Sequence, residues 1–371
     1  MTHSLDSDTP PRLLVVRNDK LGDFMLAWPA LATLKAASPA PHISVLVPSY
    51  TAPLARQCPW IDEVVLDPGD AAPRDEQRQL LRHLRAGAFD ALLTLFSTPR
   101  IGWLGWRAGI PVRVAPATKW AQLFYNRRIA QRRSRSVKPE YAYNRDLADA
   151  TIGALGLSPG KPVTPPYWPE GAARRDTERH RLSEELALDG ERLWLFLHPG
   201  SGGSAVNLSP EAYAEFAADI DRRLIAAGHS APTWVLTAGP GEEACADALA
   251  QTLRRQGLTA HRQPARAGLA AFACSLAAAD AVIAGSTGPL HVAGCLDLIT
   301  VGFYPSHRSA TPLRWQTCNV EDRRLAFHPP EGADTIDMSA IDLGAAAKAT
   351  AERLAAVATT DPRFATRHET P

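Results

Sequence analysis

A chain of 371 residues, 45% hydrophobic and 21% charged, is long enough for two cores and too apolar to be a disordered or fibrous chain. Its net charge of +1 excludes a whole-molecule attraction to nucleic acid or membrane, so any electrostatic argument must come from local clustering. Five cysteines without a CxxC pair exclude a disulfide framework and a structural zinc site, and the polar, acidic opening MTHSLDSDTPP is no signal peptide. No run of about 18 apolar residues appears, and a cytoplasmic, reducing location is expected.

In chain order, RLLVV (12–16) is the first expected strand, followed by HISVLV (42–47), EVVLD (63–67) and DALLTLF (90–96), with helices near 24–37, 51–57 and 74–86 between them. The alternation predicts an α/β fold with parallel, doubly wound sheets. In such a domain the loop after the first strand lies at the carboxyl edge of the sheet, which makes RNDKLGD (17–23) a candidate site. It carries Arg17, Asp19, Lys20 and Asp23 around one glycine, Gly22, where a nucleotide-binding loop has two or three. Asp23 falls at a helix N-terminus, whose dipole favours a carboxylate, and suits a general base for a hydroxyl nucleophile. The competing reading makes Asp23 an N-cap and leaves Arg17 and Lys20 as solvated surface.

Between Asp90 and Glu140 there is no acidic residue, while Arg100, Arg107, Arg113, Lys119, Arg127, Arg128, Arg132, Arg133, Arg135 and Lys138 are cationic. Trp103, Trp106, Trp120, Phe124 and Tyr125 are interleaved with them, so the segment can rest on an apolar surface with its charges reaching outward. An anionic glycolipid at the inner face of a membrane suits this composition, and Arg113, Arg127 and Arg128, with Arg17 and Lys20, are candidate acceptor contacts. A solvated basic face is the plainer reading. No recognition motif accompanies the charges, so nucleic acid is not expected as a partner.

LSPGKPVTPPYWPEG (157–171) then breaks the pattern. It divides the chain into a disordered start (1–11), a first domain (12–160), a linker (161–175), a second domain (176–340), a closing helix (341–358) and a disordered tail (359–371). After it LWLFL (193–197), TWVLT (233–237) and AVIAG (281–285) read as strands, with helices near 210–227, 241–256, 268–278 and 289–296. HPGSGGSAVNLSP (198–210) is glycine-rich, and Gly200, Gly202 and Ala205 fit G-x-G-x-x-A. The helix begins only at Ser209 as N-cap with Pro210 first, several residues past the glycines. The next strand ends in VLTAGPGEE, without the ribose-binding carboxylate of an NAD site, which speaks against a nicotinamide-dependent oxidoreductase. A longer amide-lined loop still suits a diphosphate, and so does the turn Ser286-Thr287-Gly288 before a helix opening at Pro289, with His291 in its first turn.

These stretches resemble glycosyltransferase family 9, the bacterial heptosyltransferases of lipopolysaccharide core assembly. LLVVRNDKLGDFMLAWPALATLKAASP is similar to the family's strand, R-x-x-x-x-G-D and apolar helix with P-A-L, filled here by Arg17, Gly22, Asp23, Pro29, Ala30 and Leu31. H-P-G-S-G-G, G-P-x-E-E and S-T-G-P-x-H-x-A-G follow in the family's order, so the likeness runs from about residue 12 to about 308. The resemblance implies two facing Rossmann-like domains with a cleft between them, the GT-B architecture. It implies transfer of a heptose from ADP-heptose to an anionic lipopolysaccharide core or related glycolipid, with inversion and with neither metal nor cofactor. Asp23 is then the catalytic base. Ser201, Gly202 and Gly203 meet the donor phosphates, Glu242 the ribose, and Ser286, Thr287, Gly288 and His291 the sugar-diphosphate region. The chain departs from the family at Val206, where members carry a lysine, and at Ser286, where many carry aspartate; Arg308 or Lys20 is the substitute cation. Another nucleotide sugar, or a silent sugar-nucleotide-binding homologue, is the alternative.

Overall fold

The computed structural model describes residues 10–118, 120–203, 206–330 and 336–361. Both segments expected to be disordered fall largely outside these residues, as do Lys119 and Ala205. Two compact units emerge, one reaching to Trp168 and including Gly268–Ala270, the other made of the rest. The proline-rich stretch read as a linker is tied to the first unit as far as Trp168. Ser38 bridges to Ser158, Trp60 Nε1 donates to the Tyr167 carbonyl at 2.8 Å, and Trp168 packs edge-on to Trp28 at 5.6 Å.

The first unit holds β1 (Arg12–Val16), β2 (His42–Pro48), β3 (Glu63–Asp67), β4 (Ala91–Thr94), β5 (Val112–Pro116) and β6 (Arg127–Ile129), all parallel, in the order β3-β2-β1-β4-β5-β6. The second repeats that order with β7 (Trp194–His198), β8 (Thr233–Leu236), β9 (Ala260–Arg262), β10 (Ala281–Gly285), β11 (Ile299–Phe303) and β12 (Arg324–Phe327), arranged β12-β11-β10-β7-β8-β9. Each unit is therefore Rossmann-like. The strand order reverses between β1 and β4, and between β7 and β10, so the carboxyl ends of those strands flank the crevice where this topology binds ligands.

The central strands are apolar because helices cover both their faces. Leu13, Leu14, Val15 and Val16 are all buried, and the whole of Trp194–His198 is buried. Leu14, Val16, Leu46, Leu92, Leu104 and Tyr125 share one core. The second is built on Leu195, Phe216, Trp234, Ile283, Val301 and Phe303, with Phe303 edge-on to Phe216 at 5.2 Å and to Tyr213 at 5.9 Å. The closing helix, Leu343–Thr360, packs against Pro210–Ala226 in this second core. The helix expected at 24–37 is two, Leu21–Met25 and Trp28–Lys35. The second opens with Pro29 in its first turn, where a missing N–H costs nothing.

Candidate active site

The turn after β1 is organised around a buried cation. Arg17 is 2% exposed, and its guanidinium pairs through Nε with Asp19 at 2.8 Å, through Nη2 with Asp23, and through Nη1 with Glu140 at 3.7 Å. Burial alone would lower the Arg17 pKa, but Asp19, Asp23 and Glu140 together raise it above its ordinary value, so the cation is permanent. Burial also pushes the Asp19 carboxyl up to about 6, against the pull of Arg17. Tyr50 donates its hydroxyl to the Asp19 carbonyl at 2.7 Å, and burial beside the two carboxylates pushes its phenol up to about 12.

Asp23 sits in the first turn of Leu21–Met25 and is 16% exposed. It is not the N-cap; Lys20 holds that place, without a side-chain cap bond. The contact with Arg17 is made by Oδ1, which fixes the carboxylate and leaves Oδ2 for another proton.

Around this centre lie two supports that no local pattern announces. Glu140, 1% exposed, receives Arg133 Nη1 at 2.6 Å as well as Arg17, and Asn144 on the same helix donates to the Leu26 carbonyl at 3.0 Å. Asn18 donates to Asp67, whose two oxygens also share Arg100 Nη2 at 2.6 and 2.8 Å. The first support reaches Arg17 directly, and the second holds its neighbour Asn18.

Two of the expected acceptor contacts have partners within the first unit. Arg17 is buried and pairs with Asp19, Asp23 and Glu140. Arg113 donates from Nε to the Phe124 carbonyl at 2.8 Å and from Nη1 to the Ile110 carbonyl at 2.5 Å, so it fastens β5 to the following turn. Lys20, Arg127 and Arg128 are exposed, Arg128 also donating to the Tyr125 carbonyl at 3.0 Å.

In the second unit, Ser209 caps Pro210–Ala226 by accepting from Ala212 N, as read from the sequence. The glycine loop is built on Glu242. Its Oε2 accepts from Gly239 N at 2.9 Å and lies 3.4 Å from His198 Nε2, while Oε1 accepts from Gly202 N at 2.5 Å. The His198 bond, with those two amides, holds the Glu242 carboxyl at about 2. His198 Nδ1 stands 3.0 Å from the Thr237 hydroxyl, so a ring donating from Nε2 accepts there. A Cβ on Gly200 would come within 2.1 Å of the Glu242 carboxylate, so the glycine lets that carboxylate lie against the loop. Gly202 and Gly203 adopt positive φ of 55° and 67°, and Ser201 lies beside them half-buried. Two residues expected at the donor, Gly202 and Glu242, are thus bonded to each other.

Asn207 closes the loop from the other side, donating to the carbonyls of Pro199 at 2.8 Å and Gly200 at 3.2 Å and accepting from Leu208 N at 3.0 Å and from the Tyr213 hydroxyl. A Cβ on Gly285 would sit 2.6 Å from Asn207 Oδ1, so the loop and the end of β10 touch. Next along are Ser286, half-buried, and Thr287, the cap of Gly288–Cys295. Thr287 Oγ1 and His291 Nδ1 are buried without a hydrogen-bond partner among the described residues. Val206, at the expected cation, is 37% exposed, and Arg308 is exposed.

Burial pushes the His291 pKa down to about 4. A depressed base contributes stability that is complete above its unfolded value of 6.5 and lost as pH falls through 4, a difference of about 3 kcal/mol. Asp19 and Asp221, both raised to about 6 by burial, act with the opposite sign between 6 and 3.8. The comparison with His291→Asn isolates the histidine: urea unfolding between pH 7 and 4 should fall more steeply in the parent chain. Equal pH slopes would mean that the ring is not held neutral.

Neither β2 nor β8 ends in the acidic residue that a dinucleotide ribose needs. Two Rossmann-like units of this kind, one with a clamped carboxylate and one with amide-lined loops, form a GT-B glycosyltransferase rather than a nicotinamide dehydrogenase. The profile of glycosyltransferase family 9 (heptosyltransferase) matches residues 77–330. A Haemophilus influenzae protein named only in general terms, as a glycosyltransferase, is 44% identical over 324 residues, 87% of this chain and 91% of that one. Lipopolysaccharide heptosyltransferase 2 of Salmonella typhimurium is 26% identical over 344 residues, 87% of this chain and 91% of its own. The solved structure of the E. coli ADP-heptose lipopolysaccharide heptosyltransferase II shares the fold, with a TM-score of 0.68 at 19% identity over 93% of this chain and 98% of that one. The chain belongs to glycosyltransferase family 9.

Proposed function

We propose that this glycosyltransferase moves a heptose from ADP-heptose to a hydroxyl of an anionic lipopolysaccharide core or related glycolipid, with inversion and without a metal. The observation that carries the reading is Asp23, a carboxylate held by a buried arginine through one oxygen and open through the other. The family profile begins at residue 77, past this turn, so the base assignment rests on the likeness of the turn to the family's R-x-x-x-x-G-D stretch and is supported by the geometry of the turn. Asp23 Oδ2 takes the acceptor's hydroxyl proton, and the freed oxygen attacks the anomeric carbon from the side opposite the diphosphate. The bond from that carbon to the diphosphate oxygen breaks, and ADP leaves. Charge developing on the departing diphosphate is met by the amides of 201–203, by the N-terminus of Gly288–Cys295, and by the hydroxyls of Ser286 and Thr287. Glu242 gives up the Gly202 amide to the phosphate and turns an oxygen to the ribose. Lipopolysaccharide and ADP-heptose appear in the names of its relatives, which supports the choice of donor and acceptor.

Val206 and Ser286 favour a second reading, the same reaction with another nucleotide sugar, because a lysine and an aspartate are replaced by an alkyl group and a hydroxyl. A thermal-shift panel of ADP-heptose with ADP-, UDP-, GDP- and dTDP-hexoses separates the two. The expected result is a selective rise in unfolding temperature with ADP-heptose. Selective stabilisation by a UDP-, GDP- or dTDP-sugar would overturn the donor assignment.

A further inference from the structure

The sheet order decides what borders Asp23. β1, whose turn carries it, lies between β2 and β4, so the residues that follow those two strands flank the turn on either side at the carboxyl edge of the sheet. Tyr50 stands two residues past β2 and Phe96 two residues past β4, with 50% and 53% of their surface in water. Neighbouring strands run about 4.8 Å apart, which puts the two positions about 10 Å from each other across β1. Both are held in place. The Tyr50 hydroxyl donates at 2.7 Å to the carbonyl of Asp19, in the same turn as Asp23. Leu95 N donates to the Val16 carbonyl at 3.1 Å and its side chain is buried, so Phe96 follows directly on the sheet. Beyond it, Ser97 Oγ lies 2.7 Å from Thr118 Oγ1, and Thr98 caps the helix Pro99–Ala108 by accepting from Ile101 N at 3.3 Å. The turn that carries the Phe96 ring is thus fastened on both sides.

One exposed ring is ordinary surface. Two rings on fastened turns, one on each side of a carboxylate with an open oxygen, fit a ligand that is apolar on its faces and carries hydroxyls on its rim. A pyranose has that form: its axial C–H bonds make an apolar face that lies on an aromatic ring, and its hydroxyls project from the edge. An acyl chain lacks the hydroxyls, and a phosphate lacks the apolar face. We propose that Tyr50 and Phe96 are the platform for a pyranose ring of the acceptor, and that stacking on them presents a hydroxyl of that ring to Asp23. The receiving group is then a saccharide hydroxyl, not the alcohol of a lipid or of an amino-acid side chain. The inference rests on Asp23 as the base of the proposed reaction. It gives the aromatic rings the choice of which sugar stands at the carboxylate, a role apart from the attraction that exposed cations exert on an anionic acceptor.

The test is binding of delipidated lipopolysaccharide core oligosaccharide to the full chain in the absence of donor, read by calorimetry and by saturation-transfer NMR. Saturation is expected to reach the C–H protons of a pyranose ring. Phe96→Ala and Tyr50→Ala should each weaken the oligosaccharide about 3- to 10-fold, with the unfolding temperature and the affinity for ADP unchanged. Phe96→Tyr, which keeps a ring of the same shape, should bind as the parent does. No binding by the parent chain, unaltered affinity in both alanine variants, a Phe96→Tyr variant as weak as Phe96→Ala, or a loss of ADP binding in place of oligosaccharide binding would overturn the proposal. The Asp23→Asn variant should still bind the oligosaccharide. Binding is read without turnover, so a failure of the base assignment leaves the platform standing, and a failure of the platform leaves the base assignment standing.

Discussion

Replacing Asp23 by asparagine is expected to lower kcat for sugar transfer by about 10² to 10⁴-fold while leaving the KM for the donor within about twofold. The amide keeps the shape of the carboxylate and can still accept from Arg17, but it cannot take a proton. Arg17 retains Asp19 and Glu140, so the turn should hold and the unfolding temperature should change little. Steady-state kinetics with saturating acceptor measures the split. A kcat within tenfold of the parent, or a loss confined to donor KM, would remove Asp23 from the role of base.

The second large effect is expected from Arg17→Met. Two carboxylates of its own turn and Glu140 from far along the chain converge on this cation, and the substitution leaves the half-buried Asp19 and the buried Glu140 with less countercharge. Removing one partner of a buried ion pair costs about 3 to 5 kcal/mol, a large share of the 5 to 15 kcal/mol by which a typical domain is stable. The loss should depend on pH, and its sign follows from Asp19. With a folded pKa near 6, above its unfolded value of 3.8, Asp19 contributes stability below 3.8 and loses it as pH rises through 6. Without Arg17 that crossover moves upward, so the variant's deficit should be greater at pH 8 than at pH 5. Urea denaturation at the two values reads it directly. Arg17→Lys should recover part of the stability and less of the activity, because one ammonium cannot hold two carboxylates in a fixed plane. An Arg17→Met variant as stable as the parent at pH 8 would contradict the buried clamp.

Much of the fold was legible because central parallel strands are apolar on both faces. LLVV, WLFL and AVIAG cannot be anything but interior, and Ser209-Pro210 announces its helix with a cap and a preset φ. The edge strand β3 was legible as EVVLD, but β6 and β9 were not, since β6 is three residues, two of them exposed arginines, and β9 is Ala-His-Arg. Asp23 was readable from its place after the first strand. The burial of Arg17 was not, because its partner Glu140 stands 123 positions away and only tertiary packing brings the two together. His198 and Asn207 stand inside the glycine-rich stretch, where glycine spacing carries no information on the side chains that brace the loop. The same holds for Glu242: the motif identifies the residue, whereas its bond to the Gly202 amide depends on how two loops close.

The central claim, that this chain passes a sugar from a nucleotide diphosphate to a hydroxyl with Asp23 as base, is tested most directly by following ADP release from ADP-heptose with and without a lipopolysaccharide core acceptor. Proton NMR of the product then gives the configuration of the new linkage. The account predicts release that depends on the acceptor, an inverted anomeric centre, and loss of both in the Asp23→Asn variant. ADP-heptose left intact by the parent chain, a product of retained configuration, or undiminished turnover in the variant would contradict it.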